Sequence, residues 1–219
     1  MNEFRNSFVV VFDLDDTLYL EKDYQSSGFN FLINYLTQFY QVDRDALERI
    51  VAVGGDVLQG FADEIGCNSI KESLLWMYRL HLPEISLNPD AKPLLDLLES
   101  KGFDIVILTD GRSITQRLKL IALDLDKYPC FISGDFGDLG KPDLTRFKLI
   151  EENFPAKQYI YVGDNPAKDF IAPNKLGWVS VCLTLNPDFI HQYDINDYPS
   201  SHAPKKWIQD LTEIESFLC

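Results

Sequence analysis

Apolar residues in this chain gather into short runs separated by stretches with helical spacing. Residues Phe8–Asp15, Phe103–Asp110, Cys130–Asp135, Tyr159–Asp164 and Trp178–Thr184 are rich in Val, Ile, Leu, Phe and Tyr. Such composition favours strands, and near-continuous hydrophobicity suits a sheet covered on both faces. Their alternation with helical segments predicts βαβ units around a parallel sheet, hence an α/β fold. One crossover is explicit. Asn88 and Pro89 supply a cap and a first-turn proline, Leu94 and Leu98 recur at i+4, and Lys101-Gly102 closes the helix before the next strand.

The alternation breaks once. From 21 to 87 no strand pattern appears, while Leu32, Tyr35, Leu36 and Phe39 fall at helical spacing, as do Leu47, Ile50 and Val51, and Val57, Phe61 and Ile65. A stretch this long is not a plain loop, so 21–87 is predicted as an all-helical module inserted after the first strand, with 1–20 and 88–219 forming the core. Within it, Val53-Gly54-Gly55-Asp56 reads as a helix–helix turn, with a loop facing the active site as the alternative. The aromatics Phe29, Phe31, Tyr35, Phe39, Tyr40, Trp76 and Tyr78 read as helix-packing core rather than a base-stacking surface. Residues 186–206, with Pro187, Pro199 and Pro204, read as a surface connection, and 207–218 as a last amphipathic helix.

Charge and composition narrow the function. With 34 acidic and 20 basic residues the chain carries −14, the wrong sign for nucleic-acid binding, which depends on Lys and Arg neutralising phosphates. No window approaches the roughly 20 apolar residues of a membrane span, and Met1–Arg5 lacks the features of a signal peptide. Cys67, Cys130, Cys182 and Cys219 are scattered without a CxxC pair, and His81, His191 and His202 lack metal-ligand spacing with them. Reduced thiols in a cytoplasm fit better than disulfides or zinc.

The chemistry gathers at strand ends. Asp13 and Asp15 end the first predicted strand, Asp110 the second, Asp135 the third and Asp164 the fourth. In an open parallel sheet these ends form the ligand-binding rim. Carboxylates crowded there repel one another unless a cation sits among them, and a hard ion such as Mg²⁺ suits oxygen donors and phosphate. Residues i and i+2 of a strand share a face, which puts Asp13 beside Asp15. Thr109, Asp110 and Gly111 precede a helix predicted over 113–123, so a hydroxyl and backbone N–H groups form an anion cradle. Gly140-Lys141-Pro142 adds a cation, and Gly163-Asp164-Asn165 with Asp169 adds two acids. Asp16 reads as a turn residue and Asp143 as a helix cap.

Phe12–Leu18, Thr109, Lys141 and Gly163–Asp169, in this order and spacing, resemble the four motifs of the haloacid dehalogenase-like superfamily of phosphohydrolases. The resemblance implies a Rossmann-like three-layer core with a central parallel sheet, and makes 21–87 a C1-type cap that chooses the substrate. It further implies an aspartyl-phosphate pathway, with Asp13 as nucleophile and Asp15 as acid and base. Mg²⁺ would be held by Asp13, the Asp15 carbonyl and Asp164, with Asp169 orienting that shell. Thr109, the N–H groups of Asp110 and Gly111, and Lys141 would take the phosphoryl oxygens. Lys22, Tyr24 and Arg79 are the insertion's candidates for touching the leaving group. The expected activity is phosphatase on a small phosphorylated metabolite, a sugar phosphate or nucleoside monophosphate. A phosphosugar mutase and a non-catalytic binding module are the alternatives. Asp15 speaks against dehalogenation, because the dehalogenases of the family lack that second aspartate.

Overall fold

The computed structural model describes residues 8–218; Met1–Arg5 and Cys219, both read from sequence above, lie outside them. The chain forms two compact units, one from the described residues up to Lys22 together with those from Ser86 onward, the other Asp23–Ile85. The first is a six-stranded sheet in the order β3-β2-β1-β4-β5-β6, with every neighbouring pair parallel. Its strands are β1 (Phe8–Phe12), β2 (Asp104–Thr109), β3 (Cys130–Ile132), β4 (Gln158–Gly163), β5 (Val179–Leu183) and β6 (Lys206–Ile208). The winding runs outward from β1 toward β3 on one side and from β4 toward β6 on the other. The switch point, where ligand-binding crevices form, therefore lies at β1 and β4.

All five residues of β1 are buried. On one sheet face Val9, Val11, Val106, Leu108 and Tyr161 pack with Phe147, Ile150, Phe170 and Trp178. The alternate residues Val10, Phe12, Ile105 and Ile107 are buried as well, so both faces are covered and the layers are helix, sheet and helix. Helices α5 (Ala91–Ser100), α6 (Ser113–Ala122), α7 (Thr145–Asn153) and α8 (Ile171–Leu176) lie between strands in the chain.

The second unit is helical: α1 (Glu21–Tyr40, all but its first two residues), α2 (Arg44–Val53), α3 (Val57–Ile65) and α4 (Lys71–Leu80). Its core is Leu32, Ile33, Leu36, Leu47, Val57, Phe61 and Leu74; all but Ile33 and Leu74 are among the periodic positions that predict the helices. Val53–Asp56 is a helix–helix turn, as read. Gly54 ends α2 at φ 78° and Asp56 caps α3 by accepting from the Gln59 N–H at 3.0 Å. The aromatic expectation holds in part. Phe29, Tyr35 and Tyr78 pack on the core, but Phe31, Phe39, Tyr40 and Trp76 are exposed.

Several boundaries differ from the sequence expectation. The first strand stops at Phe12, and Ser133–Asp135 is a 3₁₀ turn rather than strand. Asn88 does not cap α5; its amide donates to the Thr17 carbonyl at 3.1 Å and its N–H to the Leu18 carbonyl at 2.8 Å. The predicted final helix is replaced by β6 and a 3₁₀ segment, Leu211–Phe217, capped by Asp210. Among the described residues no helix is long and apolar enough to cross a membrane.

Candidate active site

Beyond Phe12 the backbone stays tied to the sheet, since the Asp13 N–H donates to the Val162 carbonyl at 2.9 Å. The chain then turns sharply at Asp16, whose φ is 54°. The Asp16 carboxylate pins this turn by accepting from the N–H groups of Glu21 (2.8 Å) and Ile190 (2.7 Å). Its reading as a turn residue stands, although it is also buried and lines the same cleft as Asp13 and Asp15.

Lys141 reaches this strand end from the loop before α7. Its Nζ pairs with Asp13 Oδ2 and Asp169 Oδ1, both at 2.7 Å, and the Tyr161 hydroxyl lies at 3.0 Å. These charges are fully buried on the side chains of Lys141 and Asp169. Burial pushes the Asp13 carboxyl up, Lys141 opposes it and Asp169 adds to it, leaving Asp13 at about 6. Asp164, just past β4, stands well above the usual carboxylate range because of burial and then the charges of Asp169 and Asp13. Burial would raise Asp169 too, but Lys141 overrides this and brings it down.

Asp15 meets a different set of groups. Lys119 Nζ lies 2.7 Å from Oδ1, the Tyr19 hydroxyl donates to the same oxygen, and Gln116 Nε2 donates to Oδ2 at 2.9 Å. Burial favours its neutral form, but Lys119 with these hydrogen bonds lowers its pKa below the ordinary value. Sequence alone did not single out Gln116, Lys119 or Tyr19.

The residues expected to bind phosphate have different surroundings. Thr109 is buried at the end of β2 and accepts from Gln116 at 2.7 Å. The Asp110 carboxylate accepts from the Lys141 N–H (3.1 and 3.2 Å) and from Arg146, tying the β2 end to the lysine loop. Gly111 departs from its predicted role. Its N–H donates to Ser133 Oγ at 2.9 Å, so that donor is already spent. Asp135 does not join the rim, because the 3₁₀ turn carries it to Arg117 at 2.8 Å. Asp143 accepts from the Thr145 N–H at 2.8 Å, but α7 begins at Thr145 with Leu144 at its N-cap, so Asp143 stands one residue ahead of the capping position read from sequence. Glu21, Asn165, Lys168 and His191 also line the cleft; Asn165 and Lys168 fall within the Gly163–Asp169 motif, while no spacing in the sequence marks Glu21 or His191. Lys22 instead pairs with Asp188 at 2.6 Å. Within the second unit, the Tyr24 hydroxyl donates to the Tyr78 carbonyl and Arg79 lies over the Trp76 ring.

The donor set suits a hard cation. Asp13, Asp164 and Asp169 each offer a carboxylate oxygen within 4.8 Å of the others, and Lys141 pairs with Asp13 and Asp169. Asp169 is already met by Lys141 and by the Asn165 N–H at 2.9 Å, which makes it a brace. Asp164 has the Thr17 hydroxyl at 3.4 Å, and the surplus charge on Asp13 and Asp164 is what an oxygen-seeking divalent ion would offset. The Asp15 carboxylate is held by Lys119 and Gln116, which leaves its backbone carbonyl for a cation.

Residues 9–177 match the family model described as haloacid dehalogenase-like hydrolase. The chain belongs to the haloacid dehalogenase-like hydrolases. Among curated proteins, this hydrolase is 25% identical over 210 residues to the glyceraldehyde 3-phosphate phosphatase of Methanocaldococcus jannaschii, covering 85% of this chain and 92% of that protein. It is 28% identical over 200 residues to the ribulose-1,5-bisphosphate 5-phosphatase of Halopiger xanaduensis, covering 78% and 82%. The HAD-hydrolase YfnB of Bacillus subtilis, solved bound to magnesium, superposes with TM-score 0.64 at 20% identity, covering 97% of this chain and 99% of that one. The six-stranded parallel sheet with flanking helices is thus the fold of the family.

Proposed function

We propose that this hydrolase is a Mg²⁺-dependent phosphomonoesterase acting on a small phosphorylated metabolite, a sugar phosphate or nucleoside monophosphate. The observation that carries the reading is the division between two carboxylates at one strand end. Asp13 faces Lys141 and Asp164's side of the rim, while Asp15 is gripped by Lys119, Gln116 and Tyr19. Asp13, on the side of Asp164 and Lys141, is the nucleophile, and Asp15, held by the separate donor set, is the acid and base. An Asp13 oxygen bonds to phosphorus as the ester P–O bond breaks, and Asp15 gives its proton to the leaving oxygen. Water then attacks the phosphoaspartate, its proton passes to Asp15, and phosphate leaves Asp13 free. Thr109, the Asp110 N–H and Lys141 stabilise the phosphoryl oxygens. Mg²⁺, held by Asp13, Asp164 and the Asp15 carbonyl and braced by Asp169, supplies charge neutralisation for an anionic substrate.

The phosphatase names of the curated relatives support this reaction class. The insertion 21–87 occupies the chain position of a C1-type cap, and we read it as the module that selects the leaving group. Free Cys67, Cys130 and Cys182 fit the cytoplasm as the compartment. The test is phosphate release by the full chain with Mg²⁺ from a panel of phosphorylated metabolites, with EDTA as control. Release that EDTA abolishes is expected. An isomeric phosphosugar without free phosphate would instead establish the mutase, and no turnover of any ester would contradict both.

A further inference from the structure

We propose that Gln116 and Lys119 are positioning residues that leave Asp15 one open oxygen, Oδ2, for proton transfer and turn the Thr109 hydroxyl proton toward the phosphoryl group. The inference rests on the phosphatase reading above. The two residues lie three apart on α6 and so share a helix face. Both are almost fully buried, at 2% and 4% exposure, and burying such polar side chains is costly unless they are partnered.

The partners define a geometry. A carboxylate oxygen accepts along two lone-pair directions. Asp15 Oδ1 receives both the Lys119 ammonium at 2.7 Å and the Tyr19 hydroxyl, which fills it. Oδ2 receives Gln116 Nε2 at 2.9 Å, while the other two of these donors go to Oδ1, so these three donors leave one direction of Oδ2 untaken. The same Nε2 lies 2.7 Å from Thr109 Oγ1 and 3.2 Å from the Asp110 carbonyl. A carboxylate and a carbonyl accept only, which fixes the NH₂ side of the amide toward this cluster. Thr109 Oγ1, once it accepts from Gln116, keeps its own proton to donate elsewhere.

Gly111 makes room for this arrangement. Its φ is 146°, and a Cβ there would meet Gln116 Cγ and Cδ at 3.0 Å. The glycine predicted as a phosphate donor therefore serves by admitting Gln116. In the reaction, the proton on Oδ2 moves to the ester oxygen as the P–O bond breaks, and a water proton returns to Oδ2 when the phosphoaspartate is hydrolysed.

The test uses two esters of different leaving-group demand. An alkyl phosphate such as glycerol phosphate requires protonation of its leaving oxygen, whereas p-nitrophenyl phosphate scarcely does. In the full-length enzyme, Lys119→Met is expected to lower kcat on glycerol phosphate by about 100-fold, at the lower end of general acid–base contributions. On p-nitrophenyl phosphate the loss is expected to be about tenfold, reflecting the base step alone. KM should stay within about twofold, and Lys119→Arg should recover most of the alkyl-ester rate, because Arg keeps a cationic donor. Gln116→Ala, which spares the Lys119 pair, should show the same preferential loss on the alkyl ester and serves if Lys119→Met fails to fold. Equal losses on both esters, or no loss, would overturn the positioning role while the phosphatase reading stood. A native enzyme that releases phosphate from neither ester, nor from any phosphorylated metabolite of the panel above, would overturn the phosphatase reading and this inference with it.

Discussion

Asp13 and Asp15 are the same side chain two residues apart, and the fold surrounds them with opposite chemistry. Asp13 is buried beside Asp164 and Asp169 with Lys141 in direct contact, and burial is the main cause that drives its pKa up to about 6. Around Asp15 a lysine, a tyrosine and a glutamine all donate, and its pKa falls. One side of the strand end is short of positive charge; the other is balanced by the chain itself. Environment, rather than residue type, sets the two carboxylates apart, and the shortage beside Asp13 is where an external cation would be held.

The comparison breaks most visibly in catalysis. Asp13→Asn and Asp15→Asn should each lower phosphate release by about a thousandfold or more, since removing one member of a unit that acts together costs nearly the whole effect. A steady-state assay with p-nitrophenyl phosphate and Mg²⁺ checks both. Removing the cation on the Asp13 side comes next. Lys141→Met strands the buried Asp13 and Asp169 carboxylates and should cost about 3–5 kcal/mol, read by urea unfolding.

Metal and pH sharpen the contrast. Asp13 at about 6 and Glu21 at about 7 sit above their ordinary values of 3.8 and 4.5. The folded state thus holds these protons more tightly, so their contribution is fully present below about pH 4 and is lost as pH rises through 6 to 7. Asp15 behaves in the opposite sense, stabilising above its ordinary value of 3.8 and losing that as pH falls. Without metal, thermal stability should therefore carry a penalty at neutral pH from Asp13, and another from Glu21, which burial and then the Asp15 charge hold up. Mg²⁺ at a hundredfold its Kd should add about 2.7 kcal/mol, with a larger rise in melting temperature at pH 8 than at pH 5. An equal rise at both would contradict the charge shortage.

The smallest effect probes the balanced side. Tyr19→Phe removes one of three donors to Asp15 and should cost about 1 kcal/mol of stability, with Lys119 and Gln116 still in place. As a baseline, Lys92→Ala breaks the exposed pair with Asp96 and should change stability by about 0.5 kcal/mol or less.

How much was legible depended on what kind of signal each residue carries. The apolar runs located five strands because burial on both faces leaves little room for polar residues, and Asp13, Asp15, Thr109 and Asp164 follow from their places at the ends of those runs, whereas Lys141 and Asp169 lie in loops and owe their expected roles to the family resemblance. The sixth strand was missed because Lys206–Ile208 is three residues long and shows no alternation to read. Gln116 and Lys119 look in sequence like the polar face of an ordinary helix, and only the docking of α6 turns that face inward. Arg146, fully buried against Asp110 and the Thr109 carbonyl, was hidden for the same reason. The role of Gly111 could not be read because it depends on which donor reaches Ser133 across the β2–β3 loops.

The most direct test of the central claim is to trap the covalent intermediate. The enzyme is mixed with substrate and Mg²⁺, quenched in acid during turnover, reduced with borohydride, and its peptides analysed by mass. Phosphorylation of Asp13 predicts homoserine in place of Asp13 only in the sample that held both substrate and Mg²⁺. Unmodified Asp13 in an actively turning-over sample, or reduction at Asp15 or Asp164 instead, would contradict it.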